Sequence, residues 1–154
     1  MAKKISRNTF LTENSPSISA FASITGEKEG SGPIGTCFDR VEKDSHFGQD
    51  SWEKAESELQ KQTVELAIKK AGLKSADIDC IFSGDLINQC MGTTYGLRDL
   101  NIPFLGIYGA CSTMAEGLLL ATLLTDSGLG EHIAAATSSH FSTAERQFRF
   151  PLSY

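Results

Sequence analysis

The sequence predicts an α/β domain with a largely parallel sheet. Three observations carry that expectation. From residue 50 onward, short apolar runs alternate with longer segments of helical periodicity, the pattern of βαβ units joined by right-handed crossovers. Each apolar run ends in a small or polar cluster: Gly84-Asp85, Gly109, and Ser138-Ser139-His140. Residues 101–140 contain no Lys or Arg and only three acids, Glu116, Asp126 and Glu131, so this stretch is expected to be buried on most sides beneath charged helices.

Taken in order, the basic N-terminal residues 1–15 read as a tail and residues 16–154 as one half-domain. Residues 18–24, small and apolar, read as an opening strand. Gly26, Gly30, Gly32, Pro33 and Gly35 then favour turns, and loop is expected up to Gln49. Asp50 with Glu53 three residues on has the form of a capping box. It opens a helix whose stripe is Trp52, Ala55, Leu59, Val64, Ala67, Ile68 and Ala71, stopped by Gly72 and closed by Leu73. A strand at 78–83, a short helix at 92–100, a strand at 103–108, an apolar helix at 112–126 stopped by Gly128, and a strand at 133–137 complete the alternation.

Composition narrows the function. The chain has 154 residues, 14 Lys+Arg against 19 Asp+Glu, a net charge of −5, 40% apolar and 21% charged positions. A chain this long buries roughly 70% of its unfolded surface, so neither disulfides nor a structural metal is required. Disordered, collagen-like and disulfide-scaffold classes are excluded, and the acidic balance with no basic stripe argues against a nucleic-acid partner. Cys37, Cys80, Cys90 and Cys111 form no C-x-x-C pair and no zinc spacing, so they read as free thiols of a reducing cytoplasm and no metal site is expected. No secretory signal is expected, because no apolar run of signal length follows the basic start. The longest oily stretch, residues 118–124, is far shorter than the roughly 20 residues of a spanning helix.

In open α/β sheets ligands bind beyond the carboxyl ends of the strands. Three junctions of this kind carry polar groups: Gly84-Asp85-Leu86-Ile87-Asn88-Gln89, Gly109-Ala110-Cys111-Ser112-Thr113 and Ser138-Ser139-His140-Phe141-Ser142. At the second, a thiol precedes a helix whose free N–H groups and positive dipole end favour a thiolate, an oxyanion or a ligand carboxylate. The same pattern also describes a buried cysteine beside small residues that allow close packing. His140 suits proton transfer or ligand binding, and equally a turn cap. Asp85 and Asn88 suit ligand contacts or helix capping, while His46 and His132 read as structural. Arg146 and Arg149, interleaved with Phe148 and Phe150, suit an anionic ligand, a salt bridge to a Glu or a subunit contact.

With these motifs in order, the sequence resembles the thiolase superfamily and, within it, the stage V sporulation protein AD family of spore-forming bacteria. The residues that carry the resemblance are Gly32-Pro33-Ile34-Gly35, Gly84-Asp85-Leu86-Ile87-Asn88-Gln89, Ile102-Pro103-Phe104-Leu105, Gly109-Ala110-Cys111-Ser112-Thr113, Ala135-Ala136-Thr137-Ser138-Ser139-His140 and Thr143-Ala144-Glu145-Arg146-Gln147-Phe148-Arg149. The resemblance implies a thiolase-like fold, one βαβαβαββ half of an α-β-α-β-α sandwich, with the reactive cysteine, here Cys111, opening the central helix. It also implies that a second half is absent, which leaves an apolar helix face exposed and favours homo-oligomers.

Functionally, the resemblance implies non-catalytic binding of dipicolinic acid, free or as its calcium chelate, for uptake into the developing spore. Calcium would arrive only with the ligand, and no other cofactor is implied. The expected partners are other stage V sporulation A proteins at the spore inner membrane, with the chain cytoplasmic and peripheral there. The ligand residues inferred from strand-end positions are Asp85, Asn88, Cys111, Ser112, Ser139, His140 and Arg146. The alternative is an acyltransferase or 3-ketoacyl synthase III-like condensing enzyme with Cys111 as its nucleophile. That chemistry needs further groups from the second half, and His140 does not match the family's catalytic histidines. A third reading is an assembly piece in which Cys111 is a structural remnant.

Overall fold

The computed structural model describes residues 2–149. Its element order is β1 (Lys3–Ser6), β2 (Thr9–Leu11), β3 (Ile24–Gly26), α1 (Glu27–Gly30), β4 (Arg40–Glu42), α2 (Trp52–Lys70), β5 (Cys80–Gly84), α3 (Met91–Leu97), β6 (Phe104–Gly106), α4 (Thr113–Asp126), β7 (Ile133–Thr137) and α5 (Phe141–Arg149).

The main sheet has the order β6-β5-β7 and is parallel throughout, with Ile81 opposite Phe104 and Ala134, and Gly84 opposite Thr137. Parallel pairing sends all three strand-to-helix junctions to one edge, which is what makes that edge the place to look for a site. The period-two alternation of side chains divides the packing between two faces. On one face Ile81, Ala134 and Ala136 pack with Val64 and Ile68 of α2, Leu97 of α3, and Ile78, Leu100 and Ile102. On the other face Gly117 of α4 sits against Ala135, Ile107 and the Phe82 carbonyl, where a Cβ would meet all three at 3.3–3.6 Å. Layers of helix, sheet and helix result.

Helix α2 ends as its sequence requires. Gly72 adopts φ +73°, and the Leu73 N–H returns to the Ile68 carbonyl at 3.1 Å, satisfying a carbonyl that the last turn leaves free. Its start differs by one residue from the expectation: Ser51, not Asp50, is the N-cap, accepting from the Lys54 N–H at 3.3 Å. Asp50 instead forms an ion pair with Lys54 at 2.8 Å. An N-cap must combine extended backbone with a side chain reaching the third helical N–H, and Ser51 has that backbone at φ −143°, ψ 158°.

Three further expectations are corrected. Residues 18–23 are not in a strand, and Ile18 and Phe21 are exposed; only Ile24 of the expected run pairs, in β3, parallel to β4. A strand exists through its neighbours' hydrogen bonds, and of residues 18–23 only Ser23 meets one, its carbonyl accepting from the Asp39 and Arg40 N–H groups at 3.0 and 3.3 Å. The region up to Gln49 is not all loop, because it holds α1, β4 and a 3₁₀ turn at Gly35–Cys37. Gly35 lies so close to Gly30 that a Cβ would fall 1.8 Å from the Gly30 carbonyl oxygen. Finally, residues 101–140 are not buried on most sides. Within α4 the buried residues are Thr113, Gly117 and Asp126, whereas Met114, Leu118 and Leu119 are exposed. The charged helix α2 covers the opposite face of the sheet, and α4 is left with the outer side of its N-terminal half exposed, while Asn14 bonds Asp126 at its C-terminal end at 2.8 and 2.7 Å.

Candidate functional site

The three junctions lie at the carboxyl edge of β6-β5-β7, and buried polar groups from α2 tie the first of them to the third. Gln60 donates from Nε2 to the Gly84 carbonyl at 3.2 Å and lies 3.4 Å from Ser138 Oγ. Ser138 donates its hydroxyl to Glu56 Oε1 at 2.9 Å and its N–H to the Gly84 carbonyl at 3.2 Å. Glu56 is 0% and Gln60 1% exposed. Burial pushes the Glu56 carboxyl from 4.5 up to about 7, the Ser138 hydrogen bond pulls it back only in part, and the nearby Asp85 charge adds to the rise. Glu56 Oε2, Gln60 Oε1 and Ser83 Oγ are buried without a hydrogen-bond partner.

Sequence reasoning missed Glu56 and Gln60. They continue, at intervals of four, the row Trp52, Val64 and Ile68. Two polar residues completing the i+4 ridge of a buried apolar pair were the available signal.

At the first junction Asp85 is 1% exposed and fully engaged, accepting from the Ile87 N–H at 2.8 Å, the Thr93 N–H at 2.7 Å and the Thr93 hydroxyl at 2.6 Å. It holds the turn that leads into α3. In that turn Gln89 and Cys90 adopt left-handed backbone, φ +62° and +53°, a conformation that costs a non-glycine residue about 1 kcal/mol or more. Asn88 is exposed, and its N–H is held by Gln147 Oε1 of α5 at 2.8 Å. The Cys90 thiol is buried and its pKa raised by that burial, with Asp85 adding to the rise.

At the second junction Cys111 is exposed, in a 3₁₀ turn (Ala110–Ser112) that precedes α4. Ala110 before it has φ +47°. Ser112, also exposed, donates to the Gly109 carbonyl at 2.7 Å rather than capping the helix. Thr113 accepts from the Gly109 N–H at 3.2 Å and donates to the Ala110 carbonyl at 2.9 Å. Glu116, which sequence reasoning did not single out, folds back over this turn: a Cβ on Gly109 would stand 2.8 Å from its Oε2 and 2.6 Å from Ser112 Oγ. An acid in the first turn of a helix was the signal, since the dipole favours it there.

At the third junction Ser139 is exposed, but His140 is only 8% exposed, with Nε2 2.7 Å from the Ser45 carbonyl oxygen. Its ring lies 5.4 Å from that of Trp52, which stacks on His46 at 3.7 Å. His140 therefore ties the third junction to the loop before α2, and His140 Nδ1 is buried without a partner. Arg146 is exposed and pairs with Glu53 of α2 at 3.2 Å. The Arg149 side chain, Phe150 and Pro151 lie outside the described residues.

The expected constellation thus divides in two. Asn88, Cys111, Ser112 and Ser139 present groups at the surface of one sheet edge and Arg146 is exposed but paired with Glu53, whereas Asp85 and His140 are committed to interior bonds. Two surface grooves, one lined by residues such as Ser57, Lys61, Met91 and Tyr95 and one by residues such as Asn14, Asp79 and Leu129, lie away from Cys111. Among the described residues no group of three His, Cys, Asp or Glu side chains is placed to hold a metal ion. Nor is any helix of the described residues long and apolar enough to cross a membrane.

Comparison with known proteins follows this geometry. The crystal structure of the priming β-ketosynthase from the R1128 polyketide biosynthetic pathway superposes with a TM-score of 0.50 and 18% identity, over 62% of this chain and 31% of that one. It supports a thiolase-like fold for the part it covers. "Stage V sporulation protein AD" of Bacillus subtilis (strain 168) is 41% identical over 152 residues, covering 99% of this chain and 45% of the relative, so the chain spans about half that protein's length. The family model for stage V sporulation protein AD matches residues 6–154. On that match the chain belongs to the stage V sporulation protein AD family, a family of sporulation proteins.

Proposed function

We propose that the chain is the N-terminal half of a non-catalytic binding protein for dipicolinate, serving its uptake into the developing spore beside other stage V sporulation A proteins at the inner membrane. Membership of a sporulation family supports this reading, and one observation carries it to a site: the exposed turn Ala110–Ser112 at the carboxyl edge of the sheet, with the Glu116 carboxylate folded over it. The positive dipole end of α4 suits a ligand carboxylate, but Glu116 already answers that dipole and repels a bare dianion. A calcium chelate removes the conflict, because a hard cation held by the ligand is attracted to a carboxylate oxygen. The calcium form is therefore the preferred ligand in this reading. Asn88, Ser112 and Ser139 contact it, while Asp85 and His140 hold the turns in place.

Calorimetry on the natural protein that contains this chain tests the proposal. Binding of the calcium chelate is expected to exceed that of free dipicolinate, with Glu116→Gln narrowing the gap. No heat from either form at millimolar ligand overturns it.

The exposure of Cys111 favours one second reading, acyl transfer. Incubation with acyl-coenzyme A followed by intact-mass measurement would then show an adduct that Cys111→Ala abolishes. An unchanged mass under conditions that acylate a control enzyme removes this reading.

A further inference from the structure

The N-terminal hairpin is the part of the molecule that neither the core nor the candidate site explains. β1 and β2 pair antiparallel, with Lys3 opposite Leu11 and Lys4 opposite Phe10. Every residue of both strands is exposed, including Ile5 at 57%, Phe10 at 51% and Leu11 at 58%. A strand in a folded domain normally buries one face, and an isolated two-stranded ribbon is only marginally stable in water. This hairpin buries neither face.

Its charge is equally out of character. Residues 2–11 hold Lys3, Lys4 and Arg7 and no acid, in a chain whose net charge is −5. Cations and large apolar side chains thus occur together, each paired lysine standing directly across from an apolar partner. That combination matches the boundary of an anionic bilayer. Lys3 with Leu11 stands on one face of the ribbon and Lys4 with Phe10 on the other, so the ribbon enters the headgroup region end-on, each lysine stem along its apolar partner and each ammonium group among lipid phosphates. A purely electrostatic partner would leave three large apolar groups in water, and a purely apolar one would have to desolvate three cations.

We propose that the hairpin Lys3–Leu11 is a docking device for the surface of an anionic phospholipid bilayer. It rests on the inner-membrane location in the functional reading and goes beyond it, because it assigns a direct lipid contact to named residues rather than attachment through partner proteins alone.

The test uses the natural protein and sedimentation with two vesicle types, phosphatidylcholine alone and phosphatidylcholine mixed with phosphatidylglycerol. Binding to the mixed vesicles, falling steeply with salt, is the expected result. The triple change Lys3→Ser, Lys4→Ser and Arg7→Ser is expected to lower that affinity on the order of a hundredfold, from about 1 kcal/mol for each basic residue near a charged surface. Phe10→Ser with Leu11→Ser is expected to weaken binding while leaving its salt dependence in place. Both variants should keep the thermal transition of the parent, because the substituted side chains are exposed. Equal binding to the two vesicle types, undiminished binding of the triple variant, or no binding by the parent overturns the proposal. Membrane fractionation of sporulating cells tests the location separately: a membrane-bound protein that ignores lipid vesicles keeps the location and removes the hairpin's role.

Discussion

Glu56 shows how much one buried side chain can determine. Its carboxyl lies at the end of β5 close to that of Asp85; a Cβ placed on Gly92 would stand 3.3 Å from atoms of both residues. With the folded pKa raised from 4.5 to about 7, the sign of the linkage follows. Below pH 4.5 the folded and unfolded chains both carry the proton and the burial of Glu56 costs least. As pH rises toward 7 the unfolded chain releases its proton first, so stability falls, by about 3 kcal/mol at most, and then levels off. Denaturant unfolding measured from pH 4.5 to 8 should show that decline. Glu56→Gln should remove its Glu56 component, since the amide does not titrate and keeps an acceptor for Ser138. Asp85 is the contrasting case. Asp85→Ala would strand three donors in the interior and is expected to cost about 3 kcal/mol or more, read as a lower denaturation midpoint.

Among the elements, helix α2 separates two readings of its own start. With Ser51 as the cap, Ser51→Ala should lower stability by about 1 kcal/mol, whereas Asp50→Ala, which breaks only an exposed ion pair, should leave it nearly unchanged. Thermal melts of the two variants decide between them. The strand β5 depends on a close approach at its end: a Cβ on Gly84 would fall 2.0 Å from the Ile107 carbonyl oxygen. Backbone cannot yield there as a side chain would, so Gly84→Ala is expected to cost about 3 kcal/mol or more and to spread the first and second junctions apart. Strand β7 occupies the residues that the sequence predicted, because turn residues punctuate both of its ends. Residues 18–23 show the opposite outcome: their composition suits a strand, but pairing is a property of the neighbour and is not written in the segment itself.

The molecule as a whole presents an apolar helix face to solvent. Met114, Leu118 and Leu119 of α4 are exposed together, and Leu105 and Tyr108 at the edge of the sheet are about half exposed. Contiguous apolar surface on this scale favours association. In light scattering the 154-residue chain is expected to gain mass with concentration, and Leu118→Glu with Leu119→Glu should return it toward the monomer. An unchanged mass across the concentration range removes the expectation of self-association.

By itself the sequence determined the order and type of the elements from α2 to β7, the polar junction at the end of each main-sheet strand, and the family, whereas the helix α5 was not expected. Periodicity, caps and glycine stops act over a few residues and can be read along the chain. Only the tertiary structure decided which polar residues meet. Ser138 reaches Glu56 across 82 positions and His140 reaches Ser45 across 95. It also moved Asp85 and His140 from the expected ligand surface into the interior. A hydrogen bond between distant residues depends on how layers stack, and local pattern carries no record of that.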